Sequence, residues 1–434
     1  MGISISKILK NIGWLMFDKV FILILQFIVG VKVANYYGAD LYGKYAYAVS
    51  LVTFSEIFFE LINSRIVKKF YNDRNYDNII FNITLFRNTL AFLLFFVPII
   101  FKLFFKIDNL LFYMLVLTCF DNILNSTTFG IENFFEYKLE SKRIVISNNI
   151  VKTISYILQY VGMIFHMEIL IVPVIRCFGS IIRMIILKYQ YKSNYLKNIK
   201  KIKNKIDKNL IINIIVQGKM LWISYVAFLI YTQIDKIMIN YFLGEKDVGI
   251  YTIGVQLSGI LGILLGPVQN SIFPKMLELY KVNYKKYYDF YMFSNIIVTQ
   301  GYMLLILISV FVVKYSFGYV YAEEYLPAIE IYCILTISIL IKANALFQMN
   351  HMVIKNIVNK SFYKTLTGLV MNVSLNYILI PRYGINGAAF STSMTHFFTA
   401  FCIDFFIKEY REQAFVQLKS FNVFYWFFRR KKIK

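Results

Sequence analysis

The sequence predicts an all-α integral membrane protein in which twelve transmembrane helices form two pseudo-symmetric six-helix lobes around a central cavity. Three observations predict this fold. The 434-residue chain is 58% hydrophobic and only 16% charged, whereas an ordinary soluble domain is about 45–50% apolar and about 25% charged. Apolar runs of about 20 residues, the length of a membrane-crossing helix, recur along the whole chain. A glycine-containing motif occurs once in each half of the sequence.

Composition excludes several other classes of protein. A chain with 42 Phe and 34 Tyr residues in long apolar runs cannot hide that surface in a water-soluble globule of this size. The cysteines stand singly inside apolar runs, which is typical of free buried thiols rather than of disulfides or a metal site. The sequence therefore argues against disordered, fibrous, disulfide-rich and soluble enzymatic proteins. It predicts no metal ion and no cofactor.

The twelve apolar runs define the predicted spans in order. The chain begins with a short basic stretch and continues directly into the first run, which predicts a retained span rather than a cleaved signal peptide. The predicted spans cover residues 11–34, 42–64, 79–104, 108–130, 144–165, 169–189, 212–241, 249–273, 290–313, 325–347, 361–380 and 386–408.

Charge in the connections between spans predicts the topology. The net charge is +23, and the basic residues concentrate in the longer connections that follow even-numbered spans. The connections after odd-numbered spans are short and carry little charge. Because cytoplasmic loops are enriched in Lys and Arg, both termini and every even-numbered loop are predicted to be cytoplasmic. The central connection alone carries Lys188, Lys192, Lys197, Lys200, Lys201, Lys203, Lys205 and Lys208.

A repeated motif divides the chain into halves. Residues 38–45 and 244–251 both read G-x4-G-x-Y, each directly after the first span of a six-span half. Glycine suits a tight turn because it reaches positive φ, and tyrosine suits the water–lipid interface. We interpret the pair as an internal duplication with a substrate path between two lobes. The predicted domains are a first lobe (1–190), a basic cytoplasmic linker (191–209), a second lobe (210–408) and a basic aromatic cytoplasmic tail (409–434).

Basic side chains deep in the first lobe are the candidate binding site. An ionisable group inside a span is energetically costly and indicates function. Arg87, Lys152, Arg176 and Arg183 lie near mid-span, and an arginine fork can bind a phosphate through two hydrogen bonds. The alternative is internal ion pairing, for instance of Asp121 with Arg87 or Lys152. We favour a cationic cavity, because four bases near one acid leave a surplus of positive charge.

Acidic side chains in the spans are candidates for coupling or gating. Asp18, Glu56 and Glu60 lie toward the cytoplasmic ends of their spans, and interfacial pairing with Lys19 and Arg65 is the alternative. For Asp235 the favoured alternative is a salt bridge to Lys32 or Lys236. His396 is interpreted as a satisfied polar core residue rather than a proton relay. The complete coupling set is Asp18, Glu56, Glu60, Asp121 and Asp235.

The two basic segments outside the spans predict contact with the membrane surface. The lysine-rich connection around 188–208 lacks interleaved aromatic residues for base stacking and adjoins a span, so it favours anionic lipid over nucleic acid. In the tail, residues 424–428 are aromatic and residues 429–432 are basic. This order suits an interfacial anchor on the cytoplasmic leaflet.

Three motifs resemble those of a known family. Residues 233–238 (Gln-Ile-Asp-Lys-Ile-Met), followed by Gly244 and by Gly249-Ile-Tyr251, form the first. Residues 372–389, with Asn372, Asn376, Pro381, Gly384 and Gly387, form the second, and residues 18–19 with 33–38 the third. The chain resembles the polysaccharide (O-antigen, Wzx-type) flippases of the multidrug/oligosaccharidyl-lipid/polysaccharide exporter superfamily. It departs from the family pattern at Asn35, where the family often has Arg.

The resemblance implies a function, and alternatives remain beside it. It implies translocation of an undecaprenyl-diphosphate-linked oligosaccharide from the cytoplasmic to the outer leaflet of the bacterial inner membrane, by alternating access. The implied partners are that glycan, anionic lipids and polysaccharide polymerase machinery. One alternative is a multidrug or small-cation exporter of the same superfamily, which should favour acids in its cavity. The other is a membrane polymerase or ligase, but the predicted outer loops are too short for a catalytic loop, so we do not expect an enzyme.

Overall fold

The computed structural model describes residues 5–71, 76–196, 205–357 and 361–422. Several residues used above lie outside this part of the chain. They include the linker lysines at 197, 200, 201 and 203 and the tail from residue 423 onward. The side chain of Lys19 is likewise not described.

The first half of the chain folds into nine α-helices. Their apolar composition favours helices, because a backbone in hydrocarbon must pair all of its own N–H and C=O groups. They are α1 (Ile5–Thr53), α2 (Glu56–Phe59), α3 (Ser64–Phe70), α4 (Tyr76–Leu94), α5 (Val97–Phe105), α6 (Asn109–Ser126), α7 (Phe129–Tyr137), α8 (Ser141–Ile164) and α9 (Ile171–Tyr191). A π-helical turn, Lys192–Leu196, follows α9.

The second half contains another nine α-helices among its described residues. They are α10 (Lys208–Phe242), α11 (Glu245–Gly262), α12 (Leu265–Val282), α13 (Tyr284–Val320), α14 (Ala328–Asn344), α15 (Gln348–Ile354), α16 (Ser361–Phe397), α17 (Ile403–Phe406) and α18 (Arg411–Ser420). A π-helical segment, Phe398–Cys402, joins α16 to α17. Part of the predicted tail is therefore helix α18, which contacts α13 and α17.

Each predicted span is mostly helical, but some spans are divided between two or three helices, and some helices run through two spans. Helix α1 covers the first span and much of the second, with a break at Gly38 (φ 77°). Helix α16 covers the eleventh and much of the twelfth, with a break at Gly384 (φ 60°). One glycine with positive φ reverses or bends the chain in so few residues that little non-helical loop remains. The short turns predicted between these spans are thus even shorter than expected.

The helices support a multi-pass membrane protein. Among the described residues, six helical segments are long and apolar enough to cross a bilayer, or eight if two bent helix pairs each count as one span. No strand occurs in the described part of the chain, so the all-α prediction is confirmed. The count of twelve spans stays a prediction.

The chain forms two compact units. The first ends at Leu229 and the second begins at Ile230, so α10 contributes to both. The core of the first unit includes Phe134 and Phe135, both fully buried, with Tyr71 and Tyr191 around them. A cluster around Tyr287, Tyr291 and Phe347 forms the core of the second. The lobe and linker boundaries predicted from sequence stay a prediction.

Candidate functional site

The repeated motif anchors a charged group in each unit. Its first glycines, Gly38 and Gly244, both adopt positive φ, of 77° and 101°. Tyr45, the motif tyrosine of the first unit, hydrogen-bonds to Arg176. Tyr251, its counterpart in the second unit, donates a 2.8 Å hydrogen bond to Asp235. Tyr251 is only 2% exposed, so its side chain packs inside the second unit rather than against its surroundings.

The first motif also reaches a neighbouring helix end. Lys44 forms an ion pair with Asp108, which caps α6 by accepting a 2.9 Å hydrogen bond from the backbone N–H of Leu111. This ion pair links the first motif to the start of α6.

Arg176 forms an ion pair inside the membrane segment of the first unit. Its Nε lies 2.8 Å from Asp121, whose carboxylate is 1% exposed and also accepts a hydrogen bond from Ser180. The Arg176 side chain is 43% exposed, which leaves part of the guanidinium accessible. The ion-pairing alternative named Arg87 or Lys152 as the partner of Asp121, and the structure places Arg176 there instead.

Arg183 is held by a set of polar side chains. It lies 2.7 Å from Glu132 and donates hydrogen bonds to Asn148 (2.6 Å), Thr128 (3.2 Å) and Asn125 (3.3 Å). A guanidinium has five N–H donors, and most are directed to these partners. Arg183 therefore acts first as a positioned structural cation.

Arg87 lies in an aromatic and backbone environment. Its Nη1 donates a 2.9 Å hydrogen bond to the carbonyl of Phe59, and its guanidinium carbon lies 3.6 Å from the centre of the Phe129 ring. Glu60 and Glu132 interact with it electrostatically. The sequence predicted a single acid, Asp121, near the four basic residues. That prediction is wrong, because Glu60 and Glu132 also lie near Arg87. The surplus positive charge is smaller than expected.

Lys152 differs from the three arginines. Within the part of the chain that the structure describes, it makes no hydrogen bond and no ion pair, and its side chain is exposed. Arg176, Asp18, Arg183 and Asp121 interact with it electrostatically. The structure thus brings Arg176 and Arg183 within electrostatic range of Lys152. Of these three cations, Lys152 alone has no direct hydrogen-bonding partner among the described residues.

The acids Glu56 and Glu60 lie at an interrupted helix. Between α1 and α3 the backbone breaks at α2, which frees carbonyl groups for side-chain donors. Tyr225 donates a 2.9 Å hydrogen bond to Glu56, and Trp222 donates one of 2.7 Å to the carbonyl of Ile57. Asn63 donates a 2.9 Å hydrogen bond to Glu60. These polar partners position the two acids, and Arg87 and Arg65 also act electrostatically on Glu60. Pairing with Lys19 stays a prediction, because its side chain lies outside the described part of the chain.

Asp235 sits where the family-like motifs converge. Its carboxylate accepts hydrogen bonds from Tyr251 (2.8 Å), Asn376 (2.6 Å) and Thr392 (2.6 Å), and the residue is 5% exposed. Among the described residues of the second unit no lysine lies within ion-pairing distance of it, so the expected salt bridge to Lys236 is wrong, and the one to Lys32 stays a prediction. Asp235, Tyr251 and Asn376 belong to the sequence motifs, whereas Thr392 lies outside them and was not predicted as a site residue.

The Asp235 cluster concentrates oxygen atoms around one negative charge. Asn376 also donates to Asn372 (3.2 Å), and Asn376 Oδ1 and Asn372 Nδ2 are buried without hydrogen bonds. All three contacts to the carboxylate come from N–H or O–H donors. The carboxylate can therefore take up one proton, or one monovalent cation if a hydroxyl turns its hydrogen away and offers its oxygen as a ligand.

Sequence reasoning missed a buried polar network in the second unit. Lys364 lies 2.6 Å from Asp404, and the other carboxylate oxygen accepts from Gln348 (2.6 Å) and Gln413 (2.9 Å). All four residues are buried. Opposite charges at matching depths of spans eleven and twelve could have indicated the pair. Because both charges are paired, the network stabilises helix packing, and only Gln413 Oε1 among these four side chains is buried without a hydrogen-bond partner.

Several solved structures of other membrane proteins have a similar fold. The structure of the lipid II flippase MurJ in an inward closed conformation matches with a TM-score of 0.68 and 13% identity, over 98% of this chain and 100% of that one. The MATE multidrug transporter DinF-BH matches with a TM-score of 0.65 and 11% identity, over 95% and 97%. A MATE transporter mutant of Vibrio cholerae matches with a TM-score of 0.60 and 9% identity, over 97% and 98%.

One curated relative matches at the sequence level. It is an uncharacterised membrane protein of Methanocaldococcus jannaschii, 26% identical over 246 residues. The matched segment is 55% of this chain, and the chain spans about half of the relative's length (48%).

These likenesses define the class of protein. It is an all-α, multi-pass membrane protein with the fold shared by MurJ and the MATE transporters of the MOP superfamily. Residues 8–280 match the family described as polysaccharide biosynthesis protein, and the chain belongs to that family. The resemblance seen in the motifs is thus confirmed for the family, and the Wzx-type subfamily stays a prediction.

Proposed function

We propose that this protein is a flippase for a lipid-linked oligosaccharide, moving an undecaprenyl-diphosphate-linked surface-polysaccharide unit from the cytoplasmic to the outer leaflet. The observation that carries the proposal is the group formed by Lys152, Arg176 and Arg183 in the membrane segments of the first unit. A diphosphate and its sugars cannot cross hydrocarbon unaided, because each unpaired charge or polar group costs several kcal/mol there. A membrane-embedded cationic group meets that need.

The four predicted cations take different roles in this proposal. Lys152 has a free ammonium and contacts the diphosphate directly. Arg176 is oriented by Asp121 and Tyr45 and offers its exposed guanidinium edge. Arg183 and Arg87 are held by protein partners and contribute positive potential without leaving those partners. A substrate phosphate bridging Lys152 and Arg176 would receive charge-assisted hydrogen bonds from both.

In this proposal the acidic residues couple transport to proton or cation binding and to gating. Asp235 is the strongest candidate, because its oxygen-rich cluster can bind a proton or a monovalent cation. Asp121, with Asp18 near Lys152, can respond to arrival of the diphosphate, since a bound anion competes for Arg176. Glu56 and Glu60 sit at the interrupted helix, where a bend can accompany gating. The lobes would then expose the cationic group to one side of the membrane at a time.

Placement in the cell completes the proposal. We place the protein in the bacterial cytoplasmic membrane with both termini cytoplasmic, as the basic connections predict. Anionic lipids would contact those connections, and polysaccharide polymerase machinery would receive the translocated unit. The protein would carry out no covalent chemistry, and we infer no role in nucleic-acid binding.

A multidrug or small-cation exporter is the second candidate, since the MATE transporters share the fold. An organic cation needs acids free to bind it. In the first unit Asp121 is already paired with Arg176, while the free charge is the positive Lys152. The first unit therefore favours an anionic substrate over a cationic one.

Complementation of a flippase-null strain tests the proposed function. The wild-type gene should restore lipid-linked glycan in the outer leaflet, whereas Lys152→Glu should abolish export at equal protein level. Lys106→Glu is the matched control, because Lys106 is an exposed lysine outside the predicted spans. Loss of one hydrogen bond between charged groups, about 1.5–3 kcal/mol, corresponds to about a ten- to hundredfold weaker interaction. Full export by Lys152→Glu would show that this lysine does not bind the substrate.

A further inference from the structure

The membrane segments of the second unit hold two lysines in opposite situations. Lys364 is buried and bonded to Asp404 (2.6 Å) and Gln348 (3.2 Å). Lys342, in α14, is exposed and makes no hydrogen bond or ion pair with any described residue. The network around Lys364 pairs that charge, whereas Lys342 has no direct ion-pair partner among the described residues.

Lys342 does not face lipid. Ser338 lies four residues earlier on α14, so the two side chains share one helix face. The Ser338 hydroxyl lies 2.8 Å from Nδ1 of His396 on α16. Lys342 also interacts electrostatically with His396 and with Asp235 on α10. The lysine therefore lies on the side of α14 that faces α10 and α16.

Lys342 lies in the last turn of α14, two residues before this helix ends at Asn344. Lys236 and Lys314 also have no hydrogen bond or ion pair among the described residues, and each lies about 9 Å from the end of its helix.

The neighbours of Lys342 offer further hydrogen-bonding groups. The hydroxyl of Tyr231 is buried without a hydrogen-bond partner, and its ring centre lies 5.2 Å from that of His396. His396 Nδ1 lies 2.9 Å from the carbonyl of Thr392, so Nδ1 carries the proton and donates. In the neutral ring Nε2 is then an acceptor, and it has no partner in the described chain. The phenol and the imidazole are neighbours, and the imidazole lies within electrostatic range of the Lys342 ammonium.

We propose that Lys342, with Tyr231 and His396, binds an anionic oxygen group of the translocated headgroup, either a phosphate or a sugar carboxylate. The ammonium and the phenol donate to the anion, and Nε2 of His396 accepts from an adjacent sugar hydroxyl. This inference rests on the proposed function and gives the second unit its own contact with the substrate. Thr392 joins this site to Asp235, since its hydroxyl bonds the carboxylate and its carbonyl bonds His396.

Protection of Lys342 from an amine-modifying reagent tests the site directly. The wild-type protein in lipid nanodiscs is modified with and without inorganic pyrophosphate or glucuronate, and each lysine is quantified by mass spectrometry. We expect about tenfold slower modification of Lys342 with at least one probe, and no change at Lys314. Protection by pyrophosphate identifies a phosphate as the bound group, and protection by glucuronate identifies a carboxylate. Equal modification of Lys342 with and without both probes would overturn the proposal.

Measuring glycan export by Lys342 variants distinguishes failure of the Lys342 site from failure of the proposed flippase function. Lys342→Gln should lower export of the lipid-linked glycan about tenfold, Lys342→Arg should restore most of it, and Lys314→Gln should match the wild type. If the wild type restores export and Lys342→Gln does so equally well, the Lys342 site is wrong while the flippase function stands. If the wild type itself fails, the proposed function is wrong, and the protection experiment still decides whether Lys342 binds an anion.

Discussion

At the residue scale, the charged side chains in the spans divide into those with protein partners and those without. Arg183, Asp121 and Lys364 are held by several polar groups each, which fits structural roles. Lys152 and Lys342 have no such partners among the described residues. A lone ammonium in a span is stable only beside water or a bound anion. The free lysines are therefore where we expect the substrate.

Asp235 yields a prediction about coupling. If its oxygen cluster binds a cation, sodium should raise the Tm of the purified wild-type protein relative to potassium. If it binds a proton, mild acid should raise the Tm instead. Thr392→Ala removes one hydroxyl from the cluster and should abolish either shift.

A neighbouring threonine provides the control for this measurement. Thr395 bonds only the carbonyl of Ser391 within its own helix (2.7 Å), so Thr395→Ala should keep the ion-dependent shift. Thermal unfolding followed by intrinsic fluorescence measures all three proteins. A wild type whose Tm responds neither to sodium nor to acid would contradict a coupling role for Asp235.

Sequence reasoning at this scale found the residues and missed their partners. The motifs pointed to Asp235, Tyr251 and Asn376, and depth in the spans pointed to Arg176 and Lys152. The partners could not be assigned, because a helix that is apolar all round gives no sign of which face meets which neighbour. Asp121 consequently received the wrong partner, and Lys342 and Thr392 were overlooked.

At the element scale, the turn between the last two predicted spans is constrained by a close backbone approach. A Cβ built on Gly387 would lie 2.3 Å from the carbonyl oxygen of Leu379. Backbone atoms cannot rotate away as a flexible side chain can, so the turn itself would have to move. This approach explains why the motif at residues 372–389 contains glycine at that position.

Gly387→Ala should therefore destabilise the protein. We expect a loss of about 1–3 kcal/mol, the usual effect of forcing an extra methyl group into a packed site. Gly301→Ala is the control, because a Cβ at Gly301 in α13 would meet nothing within 4 Å. Alanine in that helix should be neutral or slightly stabilising. Thermal unfolding in detergent compares the two, and equal Tm values would contradict the close approach.

The helices themselves were predictable because hydrophobic length is a strong signal. Every apolar run longer than a bilayer core fell on a helix, and the glycine motifs marked the tight turns. The interruption at α2 and the packed helix α18 were not predicted. Both depend on side-chain donors from distant helices, such as Trp222 to the carbonyl of Ile57, which no local pattern reveals.

At the scale of the whole molecule, the basic surplus and the substrate site are separate features. Most of the +23 net charge lies in connections and the tail, where it predicts topology and contact with anionic lipid. The proposed function depends on a few basic groups inside the spans. The family match and the fold define the class of protein, and the anionic substrate that we propose from the free ammonium of Lys152 stays to be tested.

Translocation by the purified protein tests the central claim most directly. Proteoliposomes would contain a short-chain polyprenyl-diphosphate oligosaccharide with a nitrobenzoxadiazole label, and dithionite would quench only the label on the outer leaflet. Wild-type vesicles should lose nearly all fluorescence as lipid from the inner leaflet crosses, whereas vesicles with Lys152→Glu should keep the protected half, as protein-free vesicles do. Wild-type vesicles that keep the protected half, or Lys152→Glu vesicles that lose it as fast as the wild type, would contradict the account.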